Sequence, residues 1–126
     1  GKRPYVELAG YAHFFDVCMI PFVVNDITES TSPVKLFEYM AMGKPVVATS
    51  LPECKKYELV KIADTKEDFV EDVLKLAEKG KSEEFQSRLM ECARANDWKA
   101  KAAELKDFIK EGGMPDSVKK ELKNER

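Results

Sequence analysis

Thr31–Ser50, TSPVKLFEYMAMGKPVVATS, is the stretch that decides the fold of this chain. Ser32 is placed to cap a helix, with Pro33 in its first turn, where a missing N–H costs nothing and φ is already suitable. At the far end Gly43 supplies a left-handed residue, and Pro45 forbids continuation. The small β-formers Val46, Val47, Ala48 and Thr49 then suit a buried strand. A helix over 33–42 that feeds a strand over 46–49 is half of an α/β unit.

Upstream, DVCMIPFVV is apolar and β-prone and predicts a strand over 17–22, which ends in the polar loop NDITEST. Before it, Tyr5, Leu8, Ala9, Ala12 and Phe15 recur at three- and four-residue spacing and predict a helix packed on a core. Downstream, LPECKKY reads as a turn or single helical turn and ELVKIAD as a third short strand. In TKEDFVEDVLKLAEKG, Thr65 and Asp68 form a cap, Phe69, Val73, Leu76 and Ala77 make the apolar stripe, and Gly80 ends the helix. Two surface helices follow, capped at Ser82 and Asp97, with stripes through Phe85, Leu89 and Cys92 and then Leu105, Phe108 and Ile109. Trp98 reads as an apolar anchor that pins the second of them. The charged stretch 112–126 reads as a terminal appendage to a partial domain over 1–111.

This alternation predicts an α/β fold, a three-layer Rossmann-like parallel sheet with right-handed crossovers. Only three strands are legible, whereas a doubly wound nucleotide-binding domain usually has about six in two halves. The chain therefore reads as the second half of such a domain with extra C-terminal helices. Its first strand is expected at a sheet edge, where unpaired backbone groups let two copies join as a homodimer.

Composition narrows the function classes. With 21 basic and 23 acidic residues and a net charge of −2, the chain carries no electrostatic footprint for nucleic acid or an anionic membrane. VCMIPFVV is far shorter than the roughly 20 residues that span a bilayer. Cys18, Cys54 and Cys92 are odd in number and widely spaced, as reduced core thiols are, so a cytoplasmic location is expected. His13 is the single histidine and has no triad or metal constellation around it, and no acidic pair stands ready for a cation. Neither a metal nor a bound cofactor is expected.

On a helical wheel, Leu36, Met40, Phe37, Ala41 and Val34 form one apolar arc, with Lys35 and Glu38 outside it. The helix starts after a strand and a loop, so its free N–H groups and positive dipole end face out at the carboxyl edge of the sheet and favour an anion. Glu38 lies about 9 Å further along the axis than Ser32, at about 1.5 Å per residue, a separation that suits the reach from a diphosphate to the ribose of one nucleotide. A carboxylate accepts from vicinal hydroxyls. The residues alone leave open a second reading, an ordinary helix with a solvated glutamate. Lys35 lies in the first turn beside any phosphate, whereas Lys44, in the helix-ending turn, reads as structural.

DVCMIPF (16–22), SPVKLFEYMAMGKPVVAT (32–49) and ARANDWKAKA (93–102) together resemble the C-terminal, donor-binding domain of GT-B fold glycosyltransferases, in particular the family 4-like, group 1 enzymes. The resemblance covers about residues 1–109. It implies a retaining transferase that moves a sugar from UDP- or GDP-sugar to a saccharide or lipid-linked acceptor, the nucleotide sugar being the donor substrate. It implies that Glu38 binds the donor ribose and that Ser30, Thr31, Ser32, Pro33, Val34 and Lys35 line the diphosphate end. Where many members carry a second glutamate against the donor sugar, eight positions before the first, this chain has Ser30, with Glu29 beside it. The family's other phosphate ligands, its catalytic histidine where present, and its acceptor domain are expected outside this chain. The chain alone is therefore expected to be inactive, and the full-length protein can sit peripherally at the membrane. Two alternatives share the architecture: a catalytically silent nucleotide-binding or interaction module, and a sugar-nucleotide epimerase.

Overall fold

The computed structural model describes residues 1–110, which divide into two units, Gly1–Ala95 and the part of Asn96–Arg126 that is described. The predicted appendage over 112–126 lies outside the described residues.

In the first unit, β1 (Cys18–Ile20), β2 (Val46–Thr49) and β3 (Lys61–Ala63) form a parallel sheet in that order, in the register Cys18↔Val46 and Val47↔Lys61. The strand expected first is shorter than predicted, and it does form a sheet edge. Side chains alternate across a sheet, so Cys18, Ile20, Val46 and Ala48 share one face, while Met19, Val47, Lys61 and Ala63 share the other. Val46, Val47 and Ala48 are fully buried, so the central strand is covered on both sides.

On the first face lies α3 (Val34–Ala41), whose Tyr39 stands close enough to Cys18 to feel its charge, and α3 in turn packs on α6 (Glu83–Ala95). On the second lies α5 (Lys66–Lys79), where the buried Asp72 meets the ammonium of Lys61 at 3.6 Å. Met19, on that same face, is 52% exposed. The apolar core joins Ile20, Leu36, Met40, Val46, Val47, Leu51, Cys54, Leu76, Phe85 and Leu89. α4 (Pro52–Lys55) is the single turn expected after β2.

Thr65 caps α5 as expected, its hydroxyl oxygen accepting from the Asp68 amide at 3.1 Å. Ser82 accepts from the Phe85 amide at 3.4 Å. α6 is a surface helix as expected, with Phe85, Leu89 and Ala93 buried along its apolar stripe and Glu83, Glu84, Ser87, Arg88 and Glu91 exposed. The opening helix departs from expectation. A 3₁₀ turn over Tyr5–Glu7 and α1 (Leu8–Ala12) leave Tyr5, Leu8 and Phe15 exposed, and only Ala12 is buried. Periodicity marks an apolar face but does not supply its partner.

In the second unit the described element is α7 (Trp98–Lys110), capped as expected by Asp97, which accepts from the Ala100 amide at 2.7 Å. Trp98 is 88% exposed and is no anchor. No helix of the described residues is long and apolar enough to cross a membrane.

Candidate functional site

The chain leaves the carboxyl end of β1 and reaches α3 through a segment with its own local order. Asn25 builds a capping box: its side-chain oxygen accepts from the amides of Ile27 and Thr28 at 3.1 and 3.0 Å, while its own amide donates to the Thr28 hydroxyl at 2.9 Å. This starts α2 (Asp26–Glu29), a turn that the sequence reading took as loop. The signal was Asn25 three residues before Thr28, an amide–hydroxyl version of the familiar Ser/Thr-x-x-Glu pattern.

The hydroxyls that follow turn back on this small helix. Ser30 donates to the Asp26 carbonyl at 3.4 Å, and Thr31 to that of Ile27 at 2.8 Å. Glu29, at the end of α2, is exposed. Ser32 is not the cap that the sequence suggested. Pro33 holds that position with extended backbone at ψ 106°, its carbonyl accepts from the Leu36 amide at 2.9 Å, and no side chain caps the helix. Proline fixes φ but leaves ψ free, so it serves one residue earlier than expected. The start of α3 is thereby left with first-turn N–H groups that no side chain satisfies.

Around this uncapped start, Pro33 is buried, Ser32, Val34 and Lys35 are exposed, and Lys35 enters no ion pair among the described residues. Val34 does not join the apolar face, being 64% exposed. The buried face runs instead through Leu36 and Met40, with Phe37 and Tyr39 partly covered. Phe37 meets Tyr57 edge-to-face at 5.5 Å.

Glu38 is half-buried, one turn beyond Val34. Its Oε1 accepts a hydrogen bond from the Tyr5 phenol at 2.5 Å. The carboxylate raises the phenol's pKa above its ordinary value, first through that hydrogen bond and then through its charge. No sequence signal pointed to Tyr5 in this role, since it stands 33 positions away and its spacing assigned it to a core face. Lys44 is structural as read: its ammonium donates to the His13 carbonyl at 2.7 Å, and His13 itself is exposed.

The arrangement thus offers an uncapped helix end and a first-turn lysine at the carboxyl edge of a parallel sheet, with a carboxylate one turn further along the same helix. It can hold an anion and, beside it, a group with hydroxyls to donate.

The model of the family described as "Glycosyl transferases group 1" matches residues 3–79. A Bacillus subtilis (strain 168) protein, named provisionally as the teichuronic acid biosynthesis glycosyltransferase TuaH, is 32% identical over 98 residues, which cover 73% of this chain. The match takes in 24% of that relative, so the chain spans about a quarter of its length. No solved structure matches the chain.

Proposed function

The chain belongs to the group 1 glycosyltransferases, and from that premise we propose that it forms the donor-binding portion of a retaining enzyme that moves a sugar from a UDP- or GDP-sugar onto a saccharide or lipid-linked acceptor. The observation that carries this reading is the uncapped start of α3 at the carboxyl edge of the sheet, with Glu38 on the same helix. In this reading the amides of the first turn and the Lys35 ammonium hold the diphosphate, with Ser30, Thr31, Ser32, Pro33 and Val34 around it. As the sugar–phosphate bond breaks, negative charge gathers on the leaving diphosphate. Fixed dipoles and a cation stabilise that charge without having to reorganise. Glu38 accepts from the ribose hydroxyls and sets the nucleotide's register. The name of the Bacillus relative supports a saccharide acceptor. The acceptor and the remaining phosphate ligands belong to parts of the enzyme outside these residues, so the 126-residue chain by itself is expected to transfer no sugar. The buried thiols of Cys18 and Cys54, joined in no disulfide, fit a reducing, cytoplasmic setting.

The test is Glu38→Gln in the full natural polypeptide, with UDP and GDP binding measured by calorimetry. A hydrogen bond to a charged group is worth about 1.5–3 kcal/mol, so affinity is expected to fall about ten- to hundredfold. Lys35→Ala is expected to weaken diphosphates more than nucleosides, since it removes charge and leaves the ribose contact alone. Unchanged affinity for both nucleotides, with lowered thermal stability, would make Glu38 a structural residue. Nucleotide binding without transfer would select the silent module, and isomerisation of the sugar nucleotide the epimerase.

A further inference from the structure

Tyr5 and Glu38 are 33 positions apart, and no local chain geometry forces them together. Two contacts tie the leading segment to the α3 region: the Tyr5 phenol to Glu38 at 2.5 Å, and the His13 carbonyl to the Lys44 ammonium at 2.7 Å. They follow in the same order along both stretches, so the phenol is delivered by an anchored segment. The Tyr5 ring is 71% exposed and buries little apolar surface. What holds it in place is the bond to Glu38.

We propose that Tyr5 is a positioning residue for Glu38, its phenol fixing one carboxylate oxygen so that the remaining lone pairs face the ribose hydroxyls of a bound nucleotide. This rests on the ribose reading of Glu38 given above. A carboxylate offers about four acceptor sites, of which the phenol takes one at Oε1 and leaves Oε2 whole. A glutamate side chain that is already immobilised gives up no rotamer freedom when the ligand arrives, which is how preorganisation raises affinity. A phenol with its ordinary pKa of 10.0 is protonated at neutral pH, and the hydrogen bond to Glu38 moves it further up, so Tyr5 is a donor there.

The experiment compares Tyr5→Phe, Glu38→Gln and the double variant in the full natural polypeptide, by calorimetry with UDP and GDP and with their 2′,3′-dideoxy forms. Tyr5→Phe keeps the ring and removes the donor. Because it loosens the carboxylate without deleting it, the expected loss for the ribonucleotides is about three- to tenfold. The dideoxy ligands should bind the variant and the parent alike, and Tyr5→Phe should add no loss in the Glu38→Gln background.

If Glu38→Gln weakens the ribonucleotides and Tyr5→Phe does not, the positioning role is overturned while the ribose reading stands. Tighter binding by Tyr5→Phe would make the phenol a competitor for the carboxylate and overturn it too. An equal loss with the dideoxy ligands would assign Tyr5 a general structural part and overturn it likewise. If Glu38→Gln itself leaves the ribonucleotides unaffected, the ribose reading fails first and the inference falls with it.

Discussion

A methyl group on Gly80 would stand 2.2 Å from Cγ of Pro45 and 2.9 Å from the carbonyl oxygen of Leu76. The backbone there is right-handed, with φ −67°, so glycine serves close approach and not conformation. Pro45 is fully buried and Leu76 offers backbone, so neither can swing aside. Gly80→Ala is expected to cost about 1–3 kcal/mol, the usual range for overpacking. Gly10→Ala, where a new Cβ meets nothing within 4 Å, is expected to be neutral or slightly stabilising. Urea denaturation of both variants measures the contrast, and equal midpoints would remove the packing account. The sequence showed Gly80 as the end of a helix, but its neighbour Pro45 is set by the fold and no local spacing reveals it. The same divide runs through the candidate site. The helix that bears Glu38 was legible because it announces both ends, through Pro33 and through Gly43 with its φ of 66°. The contact of Tyr5 with Glu38 was illegible because an aromatic at core spacing looks alike whether it fills a core or donates a hydrogen bond.

Among the elements, α3 gains most from its surroundings. It is eight residues long, well below the length at which an isolated helix holds itself together. The sheet covers one side of it and α6 another, through fully buried Leu36, Met40 and Leu89. Leu89→Ala is therefore expected to destabilise the first unit by about 2–5 kcal/mol. Nucleotide affinity should weaken as well, although Leu89 belongs to none of the candidate ligand groups. Thermal unfolding together with UDP and GDP titration checks both, and a destabilised variant with full affinity would show that α3 keeps its place without α6. The stripe of Phe85, Leu89 and Cys92 was plain in the sequence, but its partner α3 was not, because periodicity gives a helix its apolar side and not what covers it. The strands and their parallel order were legible for a stronger reason, since buried β-formers joined by helices have few right-handed arrangements open to them.

At the scale of the whole molecule, the core holds its thiols protonated. Burial pushes both Cys18 and Cys54 from 9.0 up to about 11. Below pH 9 the thiols keep their protons in folded and unfolded chains alike, and their contribution to stability is fully present. Between pH 9 and about 11 the unfolded chain releases protons that the folded chain retains, so stability is lost as pH rises. Tyr57, raised to about 12 chiefly by burial, adds to the same trend from pH 10 upward. Denaturation midpoints are expected to fall across that window, and less steeply when Cys18 and Cys54 are both replaced by alanine. An unchanged slope in the double variant would place the alkaline loss elsewhere. The sheet order has a consequence for how the unit is assembled. Val47 pairs with Lys61, 14 positions on, and Cys18 with Val46, 28 positions on. Each doubling of a loop adds about 0.6 kcal/mol of closure entropy, so the route to the native state favours β2 and β3 joining first through the single turn of α4. β1 and the helix that bears Glu38 then close onto a platform already formed by β2 and β3, and the last strand of the sheet to join is the first in the chain.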